Sequence, residues 1–386
     1  MSHDSNLIAD LQALVSTPSV NPFDGPATMP PAEDAMASLY ERRLSDLGLE
    51  LGSQDVRDGR RNVWGRLRGK GGGPTVMLAG HLDTVGVAGY NQPFDPRIEN
   101  GRVYGRGSCD MKAGLAAYLE VVRRLQSSGQ SLSGDLIIAG VVDEEHAMLG
   151  SQAFGQTGPH VDFAIIAEPS ELAICPVHKG QMMFGLRTRG VSVHSSLPEK
   201  GVNAIFHMGR ILRALEDHAA ALAKRPAHAL CGHPTLSVGV VNGGTNASSV
   251  PDWARIEVDR RTIPGEDHAA VRAELEAVVE SVRAQVPDLD YSFDHYDLNV
   301  SPLQTPEDAP TVRALLAASE ACLGSPSPVR SFSGSTDAPN FCCEAVICGP
   351  GALAQCHSLD EYVSIEQLEQ AVDIYHHAVL TLMRSA

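Results

Sequence analysis

Apolar and polar positions follow two rhythms along the chain. In SNLIADLQALVST, Leu7, Leu11 and Leu14 fall at helical spacing and predict an amphipathic helix. After the Pro-rich stretch NPFDGPATMPPAED, a second helix is expected over residues 34–47. NVWGRLRG alternates as a strand, and PTVMLAGHLD reads as a strand that ends on charge. DMKAGLAAYLEVVRRL, residues 110–125, predicts a helix. DLIIAGVV, DFAIIAE and EAVICGP are short unbroken apolar runs, the pattern of strands covered on both faces. Their alternation with helices predicts an α/β domain of three layers around a mostly parallel sheet.

The rhythm changes near residue 180. MMFGLRTRG, TLSVGVVNGG, ARIEVDRRT and LDYSFDHY read as strands. NAIFHMGRILRALEDHAAAL and HAAVRAELEAVVESVRAQV read as helices. The resulting order is β-α-β-β-α-β, which predicts a ferredoxin-like α+β domain over residues 181–296, inserted into a main domain made of 1–180 and 297–386. The main domain resumes with a helix in PTVRALLAASEACLG, the strand EAVICGP and a last helix over 365–383.

Bulk properties narrow the function classes. At 43% hydrophobic and 20% charged residues, the chain has the composition of a globular protein able to bury a large core. Its formal net charge of −17 argues against a nucleic-acid partner, which requires clustered Lys and Arg. The eight Cys, at 109, 175, 231, 322, 342, 343, 348 and 356, form no CxxC pair and sit mostly in apolar contexts, as expected of reduced core thiols. The N-terminal MSHDSNLIADLQ lacks the basic and apolar regions of a signal peptide, and no apolar run is long enough to span a membrane. A cytoplasmic location is expected.

Chemistry concentrates where apolar runs end. VVDEEHAMLG places three carboxylates, Asp143, Glu144 and Glu145, side by side after a buried strand. Such neighbours repel unless water or a cation compensates them. LAGHLDT contributes His81 and Asp83, GRGSCDMKAG contributes Asp110, IIAEPS contributes Glu168, and GPGALAQCHSLDE contributes His357. Ligands of open α/β sheets gather at the carboxyl ends of strands. Imidazole and carboxylate without thiolate suit Zn²⁺ and admit Mn²⁺ or Co²⁺, and the count fits two ions with one bridging carboxylate.

LAGHLDTV, YGRGSCDMKAG, DEEHAMLGS, AEPS and the GPG…HSLDE segment resemble, in order, the co-catalytic di-zinc amidohydrolases and peptidases: aminoacylase, acetylornithine deacetylase, succinyl-diaminopimelate desuccinylase and related carboxypeptidases. The resemblance runs from about residue 5 to the C-terminus and implies the inserted domain as well. It implies that Asp110 bridges two metals, that His81 and Glu168 complete one site, and that Glu145 and His357 complete the other. Asp83 is then expected to accept a hydrogen bond from the His81 imidazole and fix its tautomer. Successive side chains of an extended segment point opposite ways, so Glu145 is expected toward the metal and Glu144 toward the substrate. Glu144 would take a proton from the attacking water and pass it to the leaving amine. Asp143 is read as a solvated neighbour or a structural acceptor, without a catalytic role.

The same resemblance extends into the inserted domain. In GVSVHSSLPEKGVNA, His194 stands where family members place an oxyanion donor, supplied in several of them by the partner subunit of a dimer. A homodimer through the inserted domain is therefore expected. In ARIEVDRRTIPGE, Arg261 is the candidate partner of a substrate carboxylate, because guanidinium pairs bidentately. Arg260 alternates to the other face and reads as a surface charge. In SFSGSTDAPNF, Gly334, Ser335 and Thr336 are candidates for closing over that carboxylate. The family commonly carries Asn three residues before the Pro of its VPD segment; here Ser248 holds that place and Asn246 lies two residues earlier. The C-terminal ICGPGALAQCHSLDEYVSIEQL resembles acetylornithine deacetylases more than desuccinylases. The expected substrate is a small N-acyl amino acid, with a dipeptide, a C-terminal peptide residue or succinyl-diaminopimelate as the alternative; the remote alternative is a metal-binding homologue without turnover.

Overall fold

The computed structural model describes residues 5–23, 32–57 and 59–384. The chain divides into two compact units, Met1–Val177 with Gln304–Phe332 and Thr336–Ala386, and His178–Leu303 with Ser333–Ser335.

The larger unit is built on a mixed sheet whose central strands are parallel, as the unbroken apolar runs predict. Its strands run in the spatial order Glu50–Arg57, Arg60–Leu67, Leu136–Val141, Val76–His81, Phe163–Ile166 and Glu344–Ile347. Val76–His81 pairs in parallel with both Leu136–Val141 and Phe163–Ile166, and Glu344–Ile347 pairs in parallel with Phe163–Ile166. Every residue of Val76–His81 and Leu136–Val141 is buried. The helices Ser5–Val15, Ala32–Asp46, Lys112–Ser127, Pro310–Leu323 and Ile365–Arg384 share one apolar cluster with Val76, Leu78, Leu136, Ile138, Ile165 and Val346 of the sheet. The helix Leu149–Thr157 covers the opposite face, with Phe154 edge-on to Trp64 at 5.5 Å. Among the described residues, no helix is long and apolar enough to cross a membrane.

The parallel register fixes where the chemistry goes. His81 ends its strand directly opposite Val141 of the neighbour. The segments that follow, with Asp83, Asp143–Glu145 and Glu168, therefore leave the sheet at one edge.

The smaller unit is the β-α-β-β-α-β arrangement read from the sequence. Its antiparallel strands lie in the order Thr235–Gly243, Trp253–Thr262, Gly180–Arg189 and Asp290–Val300. The helices Ala204–Leu222 and His268–Arg283 pack on it through Ile211, Leu215, Leu275 and Val279. Both helices start on a side-chain cap: Asn203 Oδ1 accepts from Phe206 N at 3.0 Å, and Asp267 Oδ1 from Ala270 N at 2.9 Å. Each such cap contributes about 1 kcal/mol.

One reading from the sequence is corrected here. Arg260 is not a surface charge: it is fully buried, with Nη2 2.6 Å from Glu266 Oε1. The alternation along Trp253–Thr262 is as expected, but the face opposite Arg261 is the buried one, and Ala254, Ile256, Val258 and Arg260 all point into it. The guanidinium is tolerated there because Glu266 offsets its charge.

Candidate metal centre

The larger unit brings the five expected ligands into two triads that share Asp110. His81 Nε2 lies 3.1 Å from Asp110 Oδ1 and 3.9 Å from Glu168 Oε1. His357 Nε2 lies 3.5 Å from Asp110 Oδ2 and 3.3 Å from Glu145 Oε2. Within each triad one donor atom per residue falls within 4.8 Å of the others. Asp110 thus turns one oxygen to each imidazole. Glu144 Oε2 is 4.0 Å from His81 Nε2, beside the first triad. Asp110 is not a helix cap: the helix Lys112–Ser127 begins after Met111.

Buried acceptors and donors hold these groups in place. His81 Nδ1 lies 2.9 Å from the Asp83 backbone oxygen and 3.5 Å from its carboxylate Oδ1, so the backbone carbonyl, not the expected carboxylate, is the nearer acceptor. The Asp83 carboxylate also accepts from Asn21 Nδ2 at 2.8 Å and from the backbone amides of Glu144 and Glu145 at 3.1 Å each. It therefore clamps the turn that carries both acids.

Asp143 is the structural acceptor of the two possibilities left by the sequence. It is fully buried, and its Oδ1 receives Arg60 Nη2 at 2.5 Å and Asn21 Nδ2 at 3.1 Å. Arg60 is held in turn by Glu33, which accepts the Asp143 amide at 3.0 Å. Three adjacent acids coexist because the first is neutralised by a buried arginine while the other two point elsewhere. Glu145 Oε1 accepts from Val85 N at 3.1 Å, leaving Oε2 to His357.

Glu361 performs the matching task for Asp110. It is fully buried, and it accepts from Arg106 Nη1 at 2.5 Å and from the amides of Gly107, Cys109 and Asp110 at 3.0, 2.9 and 3.0 Å. Asn21, Glu33, Arg60 and Glu361 were not singled out from the sequence. Their partners are remote along the chain, and no local spacing signals them; Glu361 merely closes the HSLDE motif.

The electrostatics of the cluster call for positive charge. Burial pushes the Glu144 and Glu168 carboxyls well above their ordinary range, and neighbouring acids add to the shift. Burial likewise raises Asp337, to about 7, against a hydrogen bond with Ser151 that lowers it. Hydrogen bonds to Asp110 and Glu145 push His357 up to about 10. Burial works against the Asp110 carboxylate, but the His357 and His81 imidazoles hold it below its usual range. Among the described residues, Glu168 Oε1 is buried without a hydrogen-bond partner. An oxygen in that state costs about 1–3 kcal/mol, and an ion at the His81 triad would relieve it. Nitrogen and oxygen donors, one shared carboxylate and an orphaned oxygen fit a pair of divalent cations.

The remaining expected residues fall in the smaller unit, except Thr336, which belongs to the larger one and is fully buried, accepting from Ala338 N. His194 is exposed, with Nδ1 2.7 Å from Ser196 Oγ, and it bridges to Ser249. Ser195 N donates to Ser248 O at 2.9 Å, and Ser248 N donates to Asn246 Oδ1 at 2.9 Å. His194, Ser248 and Asn246 therefore come together in one pair of loops. Arg261 places its fork on Asp259, with Nη2 3.0 Å from Oδ2, and Nη1 reaches Ser335 Oγ at 3.3 Å. Ser335 Oγ faces Lys179 O at 3.3 Å, and Gly334 precedes it in the same half-buried turn.

Comparison with known proteins gives this arrangement its context. The model of peptidase family M20/M25/M40 matches residues 77–381. The chain belongs to that family. It is 31% identical to the acetylornithine deacetylase of Proteus mirabilis over 370 residues, 92% of this chain and 91% of that protein. A tripeptidase of Staphylococcus aureus superposes with a TM-score of 0.80 at 18% identity, covering 98% of each chain. A dinuclear metal-binding peptidase of Bacillus subtilis does so with a TM-score of 0.72 at 17% identity, also covering 98% of each. As an M20 member, the chain is a metal-dependent hydrolase of amide bonds.

Proposed function

We propose that the chain hydrolyses the amide bond of a small N-acyl amino acid, in the manner of an acetylornithine deacetylase. The observation that carries this reading is the pair of triads sharing Asp110 with Glu144 beside them, on a chain about 30% identical to deacetylases over nearly its whole length. His81, Asp110 and Glu168 would hold one divalent cation, and Asp110, Glu145 and His357 a second; zinc suits the donors, with cobalt or manganese as substitutes. When bound, such ions supply Lewis-acid activation of water and of the substrate carbonyl.

The residues then divide the remaining work. Glu144 accepts a proton from the attacking water and delivers it to the departing nitrogen. Its raised proton affinity, which comes first from burial, suits a group that must hold the proton between the two steps. Asp83 and Glu361 keep the carboxylates in register through backbone amides. His194 is assigned the oxyanion and Arg261 the substrate carboxylate, with Asn246, Ser248, Gly334, Ser335 and Thr336 as further contacts. Within the smaller unit, the exposed strand Thr235–Gly243 lies at a sheet edge, which supports a homodimer. All eight cysteines are free thiols, which supports a cytoplasmic location.

Replacing Glu144 with Gln tests the assignment. Bound metal should persist while hydrolysis of N-acetyl amino acids falls by about 10²–10⁴. Normal turnover by that variant refutes the mechanism. A panel of N-acetyl, N-succinyl and dipeptide substrates, ranked by kcat/KM, separates the deacetylase reading from a dipeptidase, carboxypeptidase or desuccinylase. Metal uptake without turnover on the whole panel would instead indicate a binding protein.

A further inference from the structure

The guanidinium of Arg261 has two edges that can take a carboxylate in parallel, the side edge of Nε with Nη2 and the end edge of Nη1 with Nη2. In the smaller unit the side edge is filled. Nε lies 3.0 and 3.1 Å from the two Asp259 oxygens, and Nη2 lies 3.0 Å from Oδ2. Asp259 and Arg261 stand two residues apart on the strand Trp253–Thr262 and so share a face. Nη1 turns instead to Ser335 Oγ at 3.3 Å. Asp259 is itself held from the neighbouring strand. Gln181, a buried residue of Gly180–Arg189, stands opposite Arg261 in the antiparallel register and donates from Nε2 to Asp259 Oδ2 at 3.0 Å. The backbone under the pair is pinned from the other face. Arg260 Nη1 donates to Arg261 O at 2.5 Å, and Glu266, which accepts from Arg260 Nη2, also accepts the Ile263 amide at 2.9 Å. A surface ion pair by itself fixes little. This one is anchored by a buried amide through Asp259 and by a buried guanidinium through the Arg261 backbone.

We propose that Asp259 is a positioning residue for substrate recognition, holding the side edge of Arg261 so that a substrate carboxylate is received end-on, at Nη1 and Nη2 beside Ser335. The inference rests on the reading of Arg261 as the partner of that carboxylate. A long side chain ordered before its ligand arrives spares the complex the entropic cost of fixing it. The Asp259 charge opposes an incoming carboxylate. Both side chains are partly exposed, however, 30% for Arg261 and 33% for Asp259, and water weakens that repulsion. Orientation therefore outweighs repulsion, and the two effects have opposite signs when Asp259 is removed.

Four metal-loaded proteins give the test: the parent, Asp259→Asn, Arg261→Met and the double variant. Each is assayed on an N-acetyl amino acid and on its carboxamide, in which a neutral amide replaces the carboxylate. Asparagine keeps the shape of Asp259 but offers one acceptor oxygen in place of two. Asp259→Asn should raise KM for the acid about fivefold at near-constant kcat. KM for the carboxamide should stay near that of the parent. In the Arg261→Met background the same substitution should have no further effect, the coupling expected of residues that act as one unit. An unchanged or lower KM for the acid in Asp259→Asn overturns the proposal, a lower one because Asp259 would then compete for the guanidinium. An equal rise for acid and carboxamide also overturns it, as does the same rise in the Arg261→Met background, since either marks a general structural effect. If Arg261→Met itself leaves the preference for acid over carboxamide intact, the carboxylate assignment of Arg261 fails first, and the role of Asp259 falls with it.

Discussion

Glu361 accepts a hydrogen bond from the backbone amide of Asp110 at 3.0 Å, across 251 residues of chain. The same carboxylate takes the amides of Gly107 and Cys109, so it shapes the whole turn that presents Asp110 to both imidazoles. Glu361→Gln replaces one acceptor oxygen with a donor that faces other donors. Affinity for divalent ions should drop about 10–100-fold. Global stability should drop by about 1–3 kcal/mol, because a buried N–H loses its partner. Competition with a chelator and urea unfolding read the two effects. Unchanged metal affinity would show that the Asp110 turn is held by other means.

The two imidazoles should respond differently to removal. His81 is fully buried, whereas the His357 side chain is 58% exposed. His81→Ala should lower both bound metal and unfolding midpoint, since it leaves Asp110 and Glu168 crowded in a buried site. His357→Ala should cost bound metal and turnover while the midpoint stays near that of the parent. Metal content paired with thermal unfolding distinguishes them, and equal destabilisation by both variants would contradict the burial difference.

Arg60 compensates two buried acids, Glu33 and Asp143. Arg60→Met keeps the length and removes the charge. The variant should lose about 3–5 kcal/mol, the cost of breaking a buried pair by deleting one partner. Urea unfolding at neutral pH measures this. A loss below about 1 kcal/mol, typical of surface pairs, would mean the triad is solvated in practice.

His178 supplies a pH effect outside the metal centre. It is fully buried, with Nδ1 2.9 Å from Lys179 O, and burial pulls it from 6.5 to about 4, aided by Arg261. The folded state therefore disfavours the charged ring. Its contribution is complete above pH 6.5 and is lost as pH falls toward 4, because the unfolded chain takes up the proton first. The full loss is about 3 kcal/mol. His178→Gln should show a flatter fall in stability between those pH values, measured by urea unfolding on both proteins. Parallel curves would exclude His178 as a source of the acid sensitivity.

Much of the architecture was legible because it rests on local periodicity. The unbroken apolar runs ending at His81, Val141 and Ile166 mark strands covered on both faces, and the β-α-β-β-α-β order marks the smaller sheet. Arg260 was misread because alternation tells which residues share a face, not which face is covered. Asp143 stayed ambiguous for a related reason: its partner Arg60 lies 83 residues away and carries no spacing signal.

By itself the sequence determined which donor types stand at the strand ends, since side-chain period and apolar run length are properties of neighbouring residues. Only the tertiary structure decided that Asp110 turns one oxygen to His81 and the other to His357, and that Asp143 pairs with Arg60 while Glu145 faces His357. Those outcomes depend on distance and burial, because charge interactions strengthen as groups close within a few ångströms and lose water, and neither quantity is written in the order of residues.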